Sequence, residues 1–148
     1  MQPVTVQQVL SDKHFMAAVL AAMVFWGLLL VSYPLHPQAA WPLTHWREAI
    51  QVAILYPLIE EGLFRGLIQG ELIRRVPFQR QWRGLTLANL LTSGVFVAAH
   101  FFYHPPLAAL GVLIPSLLFG YFRDRHRRLL SPFLLHGYYN LGYFWLTG

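Results

Sequence analysis

The chain has 148 residues, of which 56% are hydrophobic and only 11% charged, and its mean hydropathy is +0.45. This is the composition of a polytopic membrane protein and not of a soluble domain. With no cysteine, disulfides, thiol nucleophiles and thiolate metal sites are excluded.

A membrane-spanning helix needs about 20 residues, so the length allows one integral-membrane domain, 1–148, of four or five spans. Five apolar segments are present, at 14–33, 48–71, 85–103, 105–122 and 129–147. The predicted fold class is therefore all-α: a polytopic membrane helix bundle of about five transmembrane helices. The breaks YPLHPQAAWP, RRVPFQRQWRG, HPP and RDRHRR carry turn chemistry or charge. Trp and Tyr lie near several span ends, as interfacial anchors do. The first segment is read as a span and not as a signal peptide cut near Ala39 or Ala40. Its apolar stretch is long for that role, and it is preceded only by Lys13 offset by Asp12.

With five spans, Lys13, Arg74, Arg75, Arg80, Arg83, Arg123, Arg125, Arg127 and Arg128 all fall on one side; Arg47 falls on the other and Arg65 within a span. That bias places the N-terminus and the two Arg-rich loops in the cytoplasm and the C-terminus outside. It also favours spanning by segment 48–71, whose charges weaken its hydropathy. The net charge of +5 thus points to anionic membrane lipids as partners and away from nucleic acid. Gly62, Gly66 and Gly70 recur at four-residue spacing in the second segment, a pattern that lets another helix approach closely.

The second segment contains "EEGLFR", residues 60–65. A charge at the centre of a span costs about 2.5–3.5 kcal/mol on insertion scales, so Glu60, Glu61 and Arg65 need partners or a water-filled cavity. Glu61 and Arg65 are four apart, acid first, and share a helical face on which they can pair. Glu60 points about 100° away, and what faces it across the bundle sets its protonation, which suits a general base. An ion network that only staples helices would use the same three residues.

Two further spans carry polar groups. "FVAAH" places Phe96 and His100 on one face, and His104 follows four residues later. A lone His in a span is often a packing residue. His100 and His104 have zinc-ligand spacing, but His104 precedes Pro105 and Pro106 and reads as interfacial. "HGYYN" places His136 and Asn140 on one face, either as an oxyanion-stabilising pair or as an interhelical hydrogen bond. At the α-helical rise, Glu60 and His136 lie about 18 Å from the outer end, Asn140 about 12 Å and His100 about 5 Å. A base, two imidazoles and an amide from three helices therefore converge in the middle and outer half of the membrane.

"EEGLFR", "FVAAH" and "HGYYN" resemble, in order, the EExxxR, FxxxH and HxxxN motifs of the CPBP intramembrane proteases, also called the CAAX-protease and bacteriocin-processing or Abi family. The resemblance covers roughly 48–145. It implies an integral protein of a bacterial inner or plasma membrane that cleaves a peptide or protein substrate with a membrane-associated segment. It implies that Glu60 and His100 activate a water, that His136 and Asn140 stabilise the oxyanion, and that Glu61, Arg65 and Phe96 support the site. The family has been described both as zinc and as glutamate-type proteases. Glu60, His100 and His136 would be the zinc ligands, but the chain has no HExxH, and metal-free glutamate chemistry with no cofactor is the expectation.

Asp12 and Asp124 fall in cytoplasmic segments, which excludes a paired-aspartate protease, and Ser93 lacks the leading glycine of a GxSG motif. The depth of the polar groups points to an opening on the outer half. That favours an exported substrate, such as a leader peptide or a C-terminal sorting signal with its own transmembrane helix, over a cytoplasmic CAAX tail. Outside enzymes, a small transporter or assembly factor could use Glu60 and His100 as a relay.

Overall fold

The computed structural model describes residues 5–35, 37–38 and 40–147. His36 and Ala39, in the first proline-rich break, lie outside the described residues, and with Ala39 so does a point considered for signal cleavage. The described chain is helical apart from one short two-stranded ribbon. Its contacts divide it into two compact units, Met1–Ile59 with Phe133–Gly148 and Glu60–Pro132.

In the first unit, α1 (Val6–Leu10) opens on a capping box in which Thr5 and Gln8 satisfy each other's backbone. α2 (Lys13–Ser32) follows, with the Asp12 carboxylate accepting from the His14 N–H. α2 buries a narrow stripe of Phe15, Ala18 and Ala22 and leaves Leu20, Val24, Phe25, Leu28 and Val31 exposed. An apolar helix with most of its girth exposed is suited to lipid. α3 (Trp41–Thr44) forms where sequence predicts only a break, and Trp41 enters a cluster with Ala49, Val52, Leu141 and Trp145.

α4 runs through residues 46–72 as one helical stretch in alternating registers. Trp46–Ile50, Tyr56–Glu60 and Gln69–Leu72 are α-helical, whereas Gln51–Leu55 and Glu61–Ile68 are π-helical. The unit boundary falls within it, after Ile59. A uniform α-helical rise and a uniform 100° step, as assumed from sequence, therefore hold only piecewise along this segment.

In the second unit, residues 73–86 form a 3-10 turn (Val76–Gln79) and a hairpin of β1 (Gln81–Trp82) and β2 (Leu85–Thr86), with Gln81 opposite Thr86. Arg83 and Gly84 both have positive φ, 51° and 84°, as a two-residue hairpin turn with matching twist requires. α5 (Leu87–His100) starts at the Thr86 cap and packs along α7 (Leu113–His126), which the short α6 (Pro106–Gly111) precedes. Arg127, with φ 53°, ends α7 in the left-handed conformation. α8 (Leu130–Thr147) closes the chain.

Among the described residues, α2 and the run Pro106–His126 are long and apolar enough to cross a membrane, and α5 is apolar but shorter. The five apolar segments all become helices, with ends near those expected. The glycine expectation needs correction. Nothing lies near Gly62; the Leu129 and Arg123 side chains, with the carbonyls of Glu61 and Arg65, approach Gly66 and Gly70, whereas the closest approaches occur at Gly120, Gly137 and Gly142. The polar partner or ring that sits against a glycine, and not the spacing of glycines, marks the contact.

In the first unit, α8 packs on α2. Tyr139 donates its hydroxyl to the Ala18 carbonyl at 2.8 Å. Trp26 lies 4.9 Å from the Tyr138 ring, and the Trp26 indole occupies the space where a Cβ on Gly142 would stand. Replacing Gly142 by Ala should therefore destabilise the protein by about 1–3 kcal/mol, the usual cost of overpacking. Adding Trp26→Leu should recover part of the loss, as read by thermal unfolding in detergent.

Candidate active site

The carboxylates of "EEGLFR" are sorted by the fold. Glu61 is 1% exposed and Arg65 0%, and their Oε2 and Nε atoms stand 3.4 Å apart. This is a buried ion pair. Glu60 is half-buried and is the last residue before the helix passes into its second π segment. There the Gln69 N–H reaches back five residues to the Phe64 carbonyl. π turns of this kind are frequent at functional sites.

Arg65 is the hub of a polar network inside the second unit. Its Nη2 donates to the Ser116 carbonyl at 2.9 Å and to the Ser116 hydroxyl at 2.6 Å. Nη1 reaches Gln69 Oε1 at 3.4 Å. Gln69 then donates to the Gly120 carbonyl and to Asp124 Oδ1, both at 2.9 Å. The other Asp124 oxygen accepts from Thr86 at 2.6 Å. Beside this chain, Asn89 donates to the Leu117 carbonyl at 3.0 Å and accepts from Ser93 at 3.1 Å. α4, α5 and α7 are thus joined by donors and acceptors that lipid could not satisfy.

Sequence reasoning missed Gln69, Ser116, Asp124, Asn89 and Thr86. Asp124 in particular reads as part of a charged cytoplasmic loop, but it sits within α7 as a half-buried acceptor. One signal was available: Gln69 continues the i, i+4 series from Glu61 through Arg65.

An aromatic path leads from Arg65 to His100. The guanidinium lies 5.7 Å from the centre of the Phe96 ring, within cation–π range. Phe64 meets Phe96 edge-on at 4.9 Å, and Phe96 lies 4.3 Å from the His100 ring. The Phe of "FVAAH" therefore separates the buried cation from the imidazole. His100 Nδ1 stands 2.9 Å from the Phe96 carbonyl. A carbonyl can only accept, so Nδ1 carries the hydrogen and, in the neutral ring, Nε2 presents its lone pair. That tautomer can take a proton or polarise water. His104 is exposed and stacks on His100 with centroids 5.4 Å apart.

His136 and Asn140 belong to the first unit. His136 is buried, 4% exposed, and Asn140 is half-buried, donating Nδ2–H to the Val52 carbonyl at 3.0 Å. Among the described residues, no group of three or more His, Cys, Asp or Glu side chains gathers to hold a metal ion.

A family model described as Type II CAAX prenyl endopeptidase Rce1-like matches residues 42–142. This span includes every residue of the three motifs. No curated protein and no solved structure matches the chain.

Glu61→Gln should leave the Arg65 guanidinium buried without its carboxylate. The expected cost is about 3–5 kcal/mol, as for other buried pairs broken from one side. Replacing both residues by Met should cost less than Glu61→Gln alone, a difference that a double-mutant cycle of unfolding midpoints would detect.

Proposed function

We propose that this chain, which belongs to the Type II CAAX prenyl endopeptidase Rce1-like family, hydrolyses a peptide bond within or beside the membrane with a water activated by Glu60 and His100. The observation that carries this reading is the unequal treatment of two adjacent carboxylates. Glu61 is buried against Arg65, whereas Glu60 is half-buried at the edge of a π turn. A carboxylate committed to a buried guanidinium is a poor base, so the chemistry falls to its neighbour.

The step balances without a cofactor. Glu60 takes a proton from water as the water oxygen bonds to the scissile carbonyl carbon. The negative charge that develops on the carbonyl oxygen is stabilised by His136 and Asn140. Collapse of the tetrahedral intermediate breaks the C–N bond, and the leaving nitrogen receives the proton held by Glu60. His100, with Nε2 available, orients the water. Phe96 and the Glu61–Arg65 pair hold this half of the site in place.

In this reading the protein is a single integral-membrane domain of five spans, surrounded by membrane lipids, with the N-terminus and the Arg-rich loops in the cytoplasm and the C-terminus outside. The substrate is a peptide carrying its own membrane anchor. The family description points to a prenyl group on a CAAX-type tail, and the depth of the polar groups points to a helical anchor reached from the outer half.

Purified protein should cleave anchored peptides and leave the same peptide free in solution intact. Glu60→Gln should abolish turnover in protein that still folds; unchanged turnover in this variant would remove Glu60 from the reaction. Elemental analysis and a chelator-treated assay decide the metal question, and full activity without bound metal is expected. Because the chain lacks cysteine, single replacements report topology directly. Gln81→Cys should react with an impermeant thiol reagent only from the cytoplasmic side and Ala40→Cys only from the outside.

A further inference from the structure

The carbonyl of Val52 lies where α4 has lost two backbone donors. In an α-helix it would accept from the Tyr56 N–H, but Tyr56 donates five residues back, to the Gln51 carbonyl. The next rung of that π register would run from residue 57 to Val52. Residue 57 is proline and has no N–H. Val52 is 6% exposed, so its carbonyl sits in a place that water does not supply, and a buried carbonyl without a donor is costly.

Asn140 fills the gap. Its Nδ2 donates to the Val52 carbonyl at 3.0 Å, across 88 residues of sequence. The preceding turn of α8 is shaped for the same contact. A Cβ on Gly137 would collide with the carbonyl oxygen of Ala53, the other acceptor that a residue-57 N–H would serve in α-helical register. Gly137 and Asn140 are three apart and share a face. In "HGYYN" the glycine therefore makes room for the carbonyl of Ala53, and the asparagine bonds that of Val52.

We propose that Asn140 is a positioning residue, whose amide replaces the N–H that Pro57 lacks and so sets the register in which α4 arrives at Glu60. The assignment stands on contacts within one compact unit and does not depend on the proposed reaction. Asn140 has a second N–H, which is the donor that the proposed reaction assigns to the oxyanion.

The test is a double-mutant cycle on the full chain in detergent, using Asn140→Ala, Pro57→Ala and the double variant. Pro57→Ala returns an N–H to the position. Asn140→Ala alone should lower the unfolding midpoint, and the double variant should recover most of that loss. Recovery of folded yield in the double variant, where Asn140→Ala alone yields none, is the same result in stronger form. In a cleavage assay Asn140→Ala should lower kcat by about 10- to 100-fold, the scale of a small displacement of a reacting group. KM should be nearly unchanged, and kcat should rise only part of the way in the double variant, which regains the backbone donor but not the side-chain amide assigned to the oxyanion. Recovery of stability with kcat still low would support the donor assignment and place the second N–H on the oxyanion. Stability losses that simply add, or a double variant no better folded than Asn140→Ala, would overturn the proposal.

Discussion

A guanidinium with no exposed surface, in a chain built largely of apolar residues, constrains the second compact unit more than any other group. Arg65 cannot be left to water or lipid, and three parts of the unit meet its needs. Glu61 supplies the charge, Ser116 supplies two acceptors, and Gln69 relays the network to Asp124 and through it to Thr86. Because Thr86 also caps α5, the position of the FVAAH helix is tied to the same set of bonds. Phe96 then sits between Arg65 and His100. The charge network is thus the frame on which one imidazole of the site is carried.

The first unit meets its own constraint differently. Pro57 and the π turn before it remove backbone donors from the carbonyl of buried Val52 in α4, and a side chain from α8 restores one. Both solutions follow the same rule: in a low-dielectric interior every polar group must be matched. They also bracket Glu60 along the chain, with the π turn Gln51–Leu55 before it and Glu61–Ile68 after it. Each unit thus holds its own stretch of this helix through side-chain partners, Asn140 in the first and Ser116 and Asp124 in the second.

Much of this was legible in the sequence. Apolar length located the helices, because lipid leaves a chain few alternatives to helical hydrogen bonding. The i, i+4 rule identified the Glu61–Arg65 pair from spacing alone. The π segments were not foreseen, because a helical wheel assumes one register throughout; Pro57 in a helix interior was the available warning. Ser116, Gln69 and Asp124 could not be connected by pattern, since residues 51 and 55 positions apart meet only through packing. The hairpin around Arg83 and Gly84 escaped notice for a different reason. Two strands of two residues are too short to show an alternating period.

The central claim is that Glu60 acts on water as a base while Glu61 is held by Arg65. A single turnover in ¹⁸O-labelled water, with an anchored peptide and enzyme in excess, tests it most directly. The account predicts one ¹⁸O atom in the new C-terminal carboxylate of the product and none in Glu60, read by mass spectrometry of product and of digested enzyme. Label in the Glu60 side chain, with an unlabelled product from the first turnover, would mean that the carboxylate attacks the peptide itself and would contradict the account.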